Sequence, residues 1–157
     1  MERQHKEEFQ EIDQPLYSRM MIGEDTSISF FNSSIGQYNS VGEMTEAVDT
    51  NLSNPSMITQ VFVVKAIRFK ETIMDRRVRE HLLKFAHFYF RLVDRDYYTY
   101  PLHLMDNYYY FLEKKLEIPI TLHPYENFMV MLRMKSFDTR FQLTCELLGT
   151  MRRRTYK

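Results

Sequence analysis

Five histidines are the residues of this chain best suited to binding a metal ion: His5, His81, His87, His103 and His123. Two histidines share one ion when they lie on one face, at i and i+2 of a strand or at i and i+4 of a helix. No His-x-His pair is present, and His81 and His87 are six positions apart, which matches neither spacing. We therefore expect histidines at the surface or at the edge of the core, with no metal and no other cofactor.

Asp94 and Asp96, in the stretch VDRDYY, have the spacing of a candidate catalytic pair. Two acids separated by one residue on a strand point the same way, which is compatible with a glycosidase-like pair. The interleaved Arg91 and Arg95 instead favour a salt-bridge network at a turn or on the surface. No serine lies within a Gly-x-Ser-x-Gly motif. We therefore predict a protein that is not an enzyme and has no small-molecule substrate.

The single cysteine, Cys145, excludes an intrachain disulfide framework. It alternates with Phe141, Leu143 and Leu147, which predicts a buried and inert thiol. Residues 1–15 are charged and contain no apolar stretch, and no run of about 18 apolar residues occurs in the sequence. We expect a soluble protein that matures in a reducing compartment.

Tyrosines are concentrated in two stretches, YYTYP at residues 97–101 and NYYYF at residues 107–111. Because successive side chains of a strand point to opposite faces, half of such tyrosines must face away from the core. Tyrosine is enriched at protein interfaces, where a partner covers the exposed ring. Stacking on sugars or on single-stranded nucleic acid is the alternative. The candidate residues for subunit contacts are Tyr97, Tyr98, Tyr100, Tyr108, Tyr109 and Tyr110.

Two arginine clusters are present, DRRVRE at residues 75–80 and RRR at residues 152–154. The simplest interpretation is a solvated helix face for the first and a solvated tail for the second. Contact with nucleic acid or with anionic lipid is the alternative, and its candidates are Arg152, Arg153 and Arg154. The 21 basic and 21 acidic residues give zero net charge, so the whole chain does not attract nucleic acid or an anionic membrane. Zero net charge also lowers the barrier to self-association.

The stretch QVFVVKAIRFK, residues 60–70, has the β-branched and aromatic residues of a strand, but its alternation changes phase in the middle. One extra residue there would turn four apolar side chains to the same face: Phe62, Val64, Ile67 and Phe69. We therefore predict a β-bulge at Lys65 or Ala66. Bulged strands of this kind occur where strands bend between two packed sheets.

The rest of the chain is typical of strands separated by turns. Residues 72–85 have helical spacing, with Thr72 or Asp75 as the N-cap. Residues 128–134 and 141–147 each alternate regularly, and the short turn between them predicts a hairpin. Seven or eight strands with one or two short helices predict an all-β sandwich.

No internal repeat and no change in composition marks a second domain. The predicted domain covers residues 16–150. Residues 1–15 are predicted to form an N-terminal arm and residues 151–157 a basic C-terminal tail. The polar connection at residues 32–56 is long, which suits a Greek key, and we expect it to reach a neighbouring molecule together with both termini.

Four segments carry a likeness to a known family: FVVKAIRF, FYFRLVDRDYYTYPL, IPITLHPYENFMVML and ELLGTMRRR. In this order, over about residues 50–154, they resemble the jelly-roll capsid proteins of tailless icosahedral bacteriophages, many of which contain an internal membrane. The resemblance implies an eight-stranded jelly-roll sandwich with two facing sheets and one or two short helices. A double jelly roll needs about twice this length, so only one barrel fits.

The resemblance also implies a function, that of a virion structural protein. The chain would be a major, penton or minor capsid subunit that self-assembles into an icosahedral shell. Its partners would be copies of itself and other capsid proteins, with an internal membrane or the packaged genome next to the basic tail. It would be made in the host cytoplasm and located in the virion capsid. The alternative is a carbohydrate- or receptor-binding β-sandwich module of a virion spike, and a cupin-like enzyme is a third reading.

Overall fold

The computed structural model describes residues 8–39, 42–52, 55–71 and 75–155. These residues form nine strands, one α-helix and one 3₁₀ turn. In chain order the elements are β1 (Glu8–Ile22), β2 (Ser27–Phe30), β3 (Phe62–Glu71), α1 (Arg76–Phe85), β4 (His87–Leu92), β5 (Arg95–Pro101), the 3₁₀ turn (Leu102–Leu104), β6 (Asp106–Asn107), β7 (Phe111–Leu122), β8 (Phe128–Arg133) and β9 (Phe141–Thr155). The candidate cap Thr72, residues 1–7 of the predicted arm and residues 156–157 of the predicted tail lie outside the described residues.

The strands form two antiparallel sheets, so the predicted all-β sandwich is confirmed. One sheet has the order β1-β9-β3-β7-β6 and the other has the order β2-β8-β4-β5. The pairing is nested, because β1 pairs with β9, β2 with β8, β3 with β7 and β4 with β5. Successive pairs alternate between the sheets. The first strands are therefore paired with later strands in reverse order, and the β4–β5 turn lies at the centre of this nesting.

A single hydrophobic core joins the two sheets. The predicted inward faces of β8 and β9 are both buried: Phe128, Val130, Leu132 and Met134, and Phe141, Leu143, Cys145 and Leu147. Aromatic rings from both sheets meet in this core, where Phe69 of β3 lies 6.0 Å from Phe30 and 5.6 Å from Phe88 between ring centroids. Each such ring pair contributes about 0.5–1.5 kcal/mol beyond the area that it buries.

The predicted bulge in β3 is confirmed. Lys65 is the extra residue, because its neighbours Val64 and Ala66 pair with consecutive residues of β9. The extra residue corrects the phase, so the four predicted side chains are all buried: Phe62, Val64, Ile67 and Phe69. Opposite the bulge only a glycine fits, since a Cβ on Gly149 would lie 1.8 Å from the carbonyl oxygen of Val63.

Helix α1 confirms the helix predicted within residues 72–85. Its N-cap is Asp75, whose carboxylate accepts a hydrogen bond from the backbone N–H of Arg77 at 2.8 Å. The helix buries Val78 and Leu82. Leu82 lines a small cavity together with residues of β3, β7 and β9, so the helix covers one end of the core.

The predicted hairpin between residues 128–134 and 141–147 is wrong. β8 pairs with β2 and β4, whereas β9 pairs with β1 and β3 in the other sheet. Residues 134–140 cross between the sheets, and Phe137 is buried on the way. The error has a physical cause, because two strands of a sandwich bury the same kind of face whether they are neighbours in one sheet or belong to opposite sheets.

Strands extend into both segments that were predicted to be an arm and a tail. Residues 8–15 of β1 pair with residues 148–155 of β9 in one continuous ladder. Pro15, which was expected to end the arm, lies inside β1, and proline is tolerated there because β1 is an edge strand. The charged residues Glu11 and Asp13 occupy exposed positions of β1, so a charged composition did not exclude a strand here.

The connection between β2 and β3 folds back on the outer edge of β1. The backbone N–H of Arg19 donates to the carbonyl oxygen of Asp49 at 2.6 Å, and their side chains form an ion pair at 3.0 Å. The carboxamide of Asn51 accepts from the N–H of Tyr17 and donates to the carbonyl oxygen of Pro15. These bonds occupy backbone groups that an edge strand otherwise exposes. This part of the connection packs against β1 of the same molecule. Its contact with a neighbouring molecule stays a prediction.

Candidate subunit-contact surface

The first tyrosine stretch lies on β5, at the edge of the four-stranded sheet. Tyr98 and Tyr100 face the core, where their half-buried rings stack at 5.9 Å and both approach Phe88. Tyr97 points outward and is 59% exposed. Alternation along the strand therefore divides these tyrosines into two inward rings and one outward ring.

A bulge lies at Tyr97 of β5. Phe90 of β4 pairs with Tyr98, and the next residue, Arg91, pairs with Asp96. Tyr97 is therefore an extra residue without a partner in the ladder. Bulges near sheet edges bend the strand and interrupt the regular ladder.

Strand β5 faces β7 of the other sheet across an open groove of about 460 Å³. β7 is irregular at this point, because its residues 116–119 have only Lys65 of β3 opposite them. Ile118, in the middle of that segment, is 79% exposed. We call this feature the β5–β7 groove, and it is lined by Tyr97, Tyr98, Tyr100, Lys114, Leu116, Glu117, Ile118 and Ile120.

Two opposite charges lie in the β5–β7 groove, on Lys114 and Glu117. The ammonium group of Lys114 is 4.7 Å from the ring centroid of Tyr100, within the range of a cation–π contact. Burial raises the pKa of Tyr98, and the charge of Lys114 partly opposes that rise. The phenol of Tyr98 is therefore neutral at pH 7. The groove is mainly aromatic and apolar, with one positive and one negative group.

The second tyrosine stretch forms the turn between β6 and β7, and Arg79 of α1 holds that turn. The guanidinium donates to the carbonyl oxygens of Tyr108 and Tyr109 and to Oδ1 of Asn107. The rings project outward, with Tyr109 76% exposed and edge-to-face with Tyr110 at 4.6 Å. The six candidate tyrosines therefore lie in two places, the β5–β7 groove and this turn, rather than on one surface.

The candidate arginines at the C-terminal end lie on strand β9. Arg152 and Arg153 are exposed. Arg152 is opposite Glu11 of β1, with the guanidinium 3.9 Å from the carboxylate. Arg154 belongs to the same ladder. The backbone of all three is therefore held in a sheet, and their contact with genome or lipid stays a prediction.

The arginines of the DRRVRE cluster have partners within the chain. Arg76 pairs with Glu80 at 2.9 Å, and Arg77 pairs with Asp138 at 3.4 Å. Arg79 binds the β6–β7 turn. Exposed ion pairs of this kind contribute about 0–1 kcal/mol each. These contacts favour the simpler interpretation of this cluster as a solvated helix face.

Glu71 is a buried carboxyl group that the sequence analysis missed. It is the last residue of β3, on the same inward face as Phe69, and it is 8% exposed. Burial is the main cause that raises its pKa to about 7, and the charge of Asp75 adds to the rise, whereas the backbone N–H of Asp75 and the charge of Arg79 oppose it. Its Oε2 has no hydrogen-bond partner among the described residues. It borders a cavity of about 310 Å³ beside α1 and β9.

Three side chains that were considered for catalysis or for metal binding are buried or bonded to other groups of the chain. Cys145 is fully buried, and burial raises the pKa of its thiol well above the ordinary value, so the reactive thiolate is not formed at neutral pH. His81 Nε2 lies 2.7 Å from the carbonyl oxygen of Lys135. Asp96 pairs with Arg91 at 3.2 Å, which confirms the predicted salt bridge near the β4–β5 turn. Within the described part of the chain, no group of three His, Cys, Asp or Glu residues could hold a metal ion.

Comparisons with known proteins identify no relative of this chain. No family model, no curated protein and no solved structure matches it. In the part of the chain that the structure describes, no helix has the length and apolar character needed to span a membrane. The basis for assigning a function is therefore the fold and the surface described above.

Proposed function

We propose that this sandwich is a single jelly roll, in which β6 is a two-residue addition to eight main strands, and that the chain is a capsid subunit of a virus. The nested pairing carries the proposal. Pairing β1 with β9, β2 with β8, β3 with β7 and β4 with β5, in alternate sheets, is the arrangement expected for two Greek keys wound together. The bulge in β3 supports it as well, because it bends a strand around the core.

Jelly rolls occur as viral capsid subunits, lectin domains and cupins, so the fold by itself does not select a function. The surface favours a capsid subunit. Exposed aromatic and apolar side chains such as Tyr97, Tyr109 and Ile118 are costly to leave in water and are suited to burial against another protein. Zero net charge removes overall repulsion between copies.

The proposed mechanism is repeated burial of this surface between neighbouring subunits. Contacts that are weak for one pair become strong in a closed shell, because each subunit is held by several neighbours at once. The partners are copies of the chain and other capsid proteins, and the chain is made in the host cytoplasm before it enters the virion. Arg152–Arg154 would face the genome or an internal membrane. A major, a penton and a minor shell protein all fit this description.

Assembly of the purified chain tests the proposal. Sedimentation velocity over a range of protein concentrations, followed by electron microscopy of the heaviest fractions, should reveal association and closed particles of uniform size. A triple charge removal, Arg152→Gln with Arg153→Gln and Arg154→Gln, should reduce the nucleic acid or lipid that is recovered with such particles. A chain that is monomeric at its highest soluble concentration would contradict the assignment.

A carbohydrate- or receptor-binding module is the second candidate. The observation that favours it is the open β5–β7 groove, in which Tyr97, Tyr98 and Tyr100 lie near the carboxylate of Glu117. Aromatic faces can stack on sugars while a carboxylate accepts hydrogen bonds from their hydroxyl groups. Titration with a panel of oligosaccharides, monitored by NMR, tests it. Saturable binding that is lost in Tyr97→Ala would support this candidate over the first.

A further inference from the structure

We infer that the β5–β7 groove is a two-fold contact between two copies of this chain, in which Lys114 of each copy approaches Glu117 of the other. The inference rests on the proposed function in one respect, namely that the chain associates with itself. It adds the surface, the symmetry and the charged pair of that association, none of which follows from the fold.

The other sheet edges are short or partly occupied. β2 is only four residues long, and β6 pairs with the start of β7. The connection between β2 and β3 occupies part of the edge of β1 through Asp49 and Asn51. Among the described strands, none pairs with the outer edge of β5. On the edge of β7 that pairs with β6, none pairs with residues beyond Glu113. These two uncovered edges border the groove.

The contact is made by side chains rather than by joining two strands. The extra residue Tyr97 and the irregular segment 116–119 interrupt regular backbone pairing, and interruptions of this kind discourage the addition of another strand. Tyr97 and Ile118, which lie at these irregularities, are both exposed. In a symmetric contact, each of these side chains can enter the groove of the other copy.

The charges in the groove favour a second copy as its occupant. Lys114 and Glu117 are three positions apart on β7, one positive and one negative. A two-fold axis that passes between them brings each lysine near the glutamate of the other copy, so the favourable pair occurs twice. A wholly anionic or wholly cationic partner would leave one of these two charges facing a like charge.

Charge reversal tests the inference. Lys114→Glu leaves two acids in the groove, and Glu117→Lys leaves two bases. In a homodimer of either variant, residue 114 of each copy therefore lies near a like charge at residue 117 of the other copy. Each homodimer should be weakened at least about tenfold. Mixing the two variants should restore association, because each reversed residue then faces an opposite charge in the other variant. The dissociation constants are measured by sedimentation velocity and by fluorescence at low ionic strength.

Two matched reversals outside the groove, Glu24→Lys and Lys70→Glu, should leave the wild-type dissociation constant unchanged. Restored association in the mixture also demonstrates that both groove variants are folded. A mixture that associates as weakly as its components would overturn the inference.

Two other results would also overturn it, and they separate the inference from the proposed function. Closed particles or dimers that form equally well from both groove variants would show that copies meet elsewhere, which leaves the capsid assignment standing. A wild-type chain that is always monomeric would refute both, and sugar binding in the groove would then assign the groove to a ligand.

Discussion

Replacing Glu71 with glutamine is expected to remove much of the pH dependence of this protein's stability. Glu71 is the buried carboxyl group at the end of β3, and burial is the main cause that raises its pKa from 4.5 to about 7. Glutamine has nearly the same shape and no charge. It can still accept the hydrogen bond from the backbone N–H of Asp75, so the substitution isolates the cost of burying the negative charge.

The direction of the effect follows from the raised pKa. Between about pH 4.5 and pH 7, Glu71 is protonated in the folded state and ionised in the unfolded state. The folded state then binds more protons, so the free energy of unfolding falls as the pH rises. A shift from 4.5 to about 7 corresponds to about 3 kcal/mol, at roughly 1.4 kcal/mol for each pH unit. The loss is complete above the folded-state pKa, and below pH 4.5 the group contributes no dependence.

Urea unfolding of wild type and Glu71→Gln at several pH values between 4.5 and 8.5 measures the effect. The two proteins should be similarly stable at pH 4.5, and the variant should be more stable by about 3 kcal/mol at pH 8. Glu24→Gln, at an exposed turn, is the matched control and should follow the wild-type profile. Parallel profiles for wild type and Glu71→Gln would refute the assignment of a buried, neutral carboxyl group.

Two further pairs of substitutions, each a test with its control, probe the local structure by urea unfolding. Gly149→Ala should destabilise the fold by about 3 kcal/mol, because its Cβ would lie 1.8 Å from the carbonyl oxygen of Val63 in the middle of a sheet. Gly23→Ala has its nearest contact at 3.9 Å and should change stability by less than about 0.5 kcal/mol, so equal losses would count against the bulge geometry. Asp75→Ala should cost about 1 kcal/mol by removing the N-cap of α1, whereas Asp75→Asn keeps a capping oxygen and should cost clearly less.

Features that depend on neighbouring residues could be predicted from the sequence. The bulge at Lys65 is a change of phase within a single strand, and the buried faces of β8 and β9 are regular alternations. Helix α1 has an apolar spacing and a cap, Asp75, within a few residues of each other. In each case the residues that carry the signal lie on one element, so no knowledge of the tertiary structure is needed.

Pairing between distant strands could not be predicted in the same way. Alternation shows that a strand has a buried face, but it does not show which strand lies beside it, and the predicted hairpin of β8 and β9 was wrong for this reason. The β5–β7 groove joins residues from two sheets, so Tyr97 and Ile118 could not be placed together beforehand. Glu71 could have been found, because it continues the inward face that contains Phe69.

The groove lies where β5 forms the edge of the four-stranded sheet. β5 has a strand on one side only, so its inward residues must close the flank of the core. Tyr98 and Tyr100 can do so because each presents an apolar ring to Phe88 while its hydroxyl group remains near water. Because the rings of Tyr98 and Tyr100 close this flank, the parts of the rings that face away from Phe88 remain uncovered in the groove beside Ile118. The same side chains therefore seal one molecule and leave an apolar surface uncovered. In the proposed two-fold contact a second copy would cover that surface, and the charges of Lys114 and Glu117 would determine its orientation.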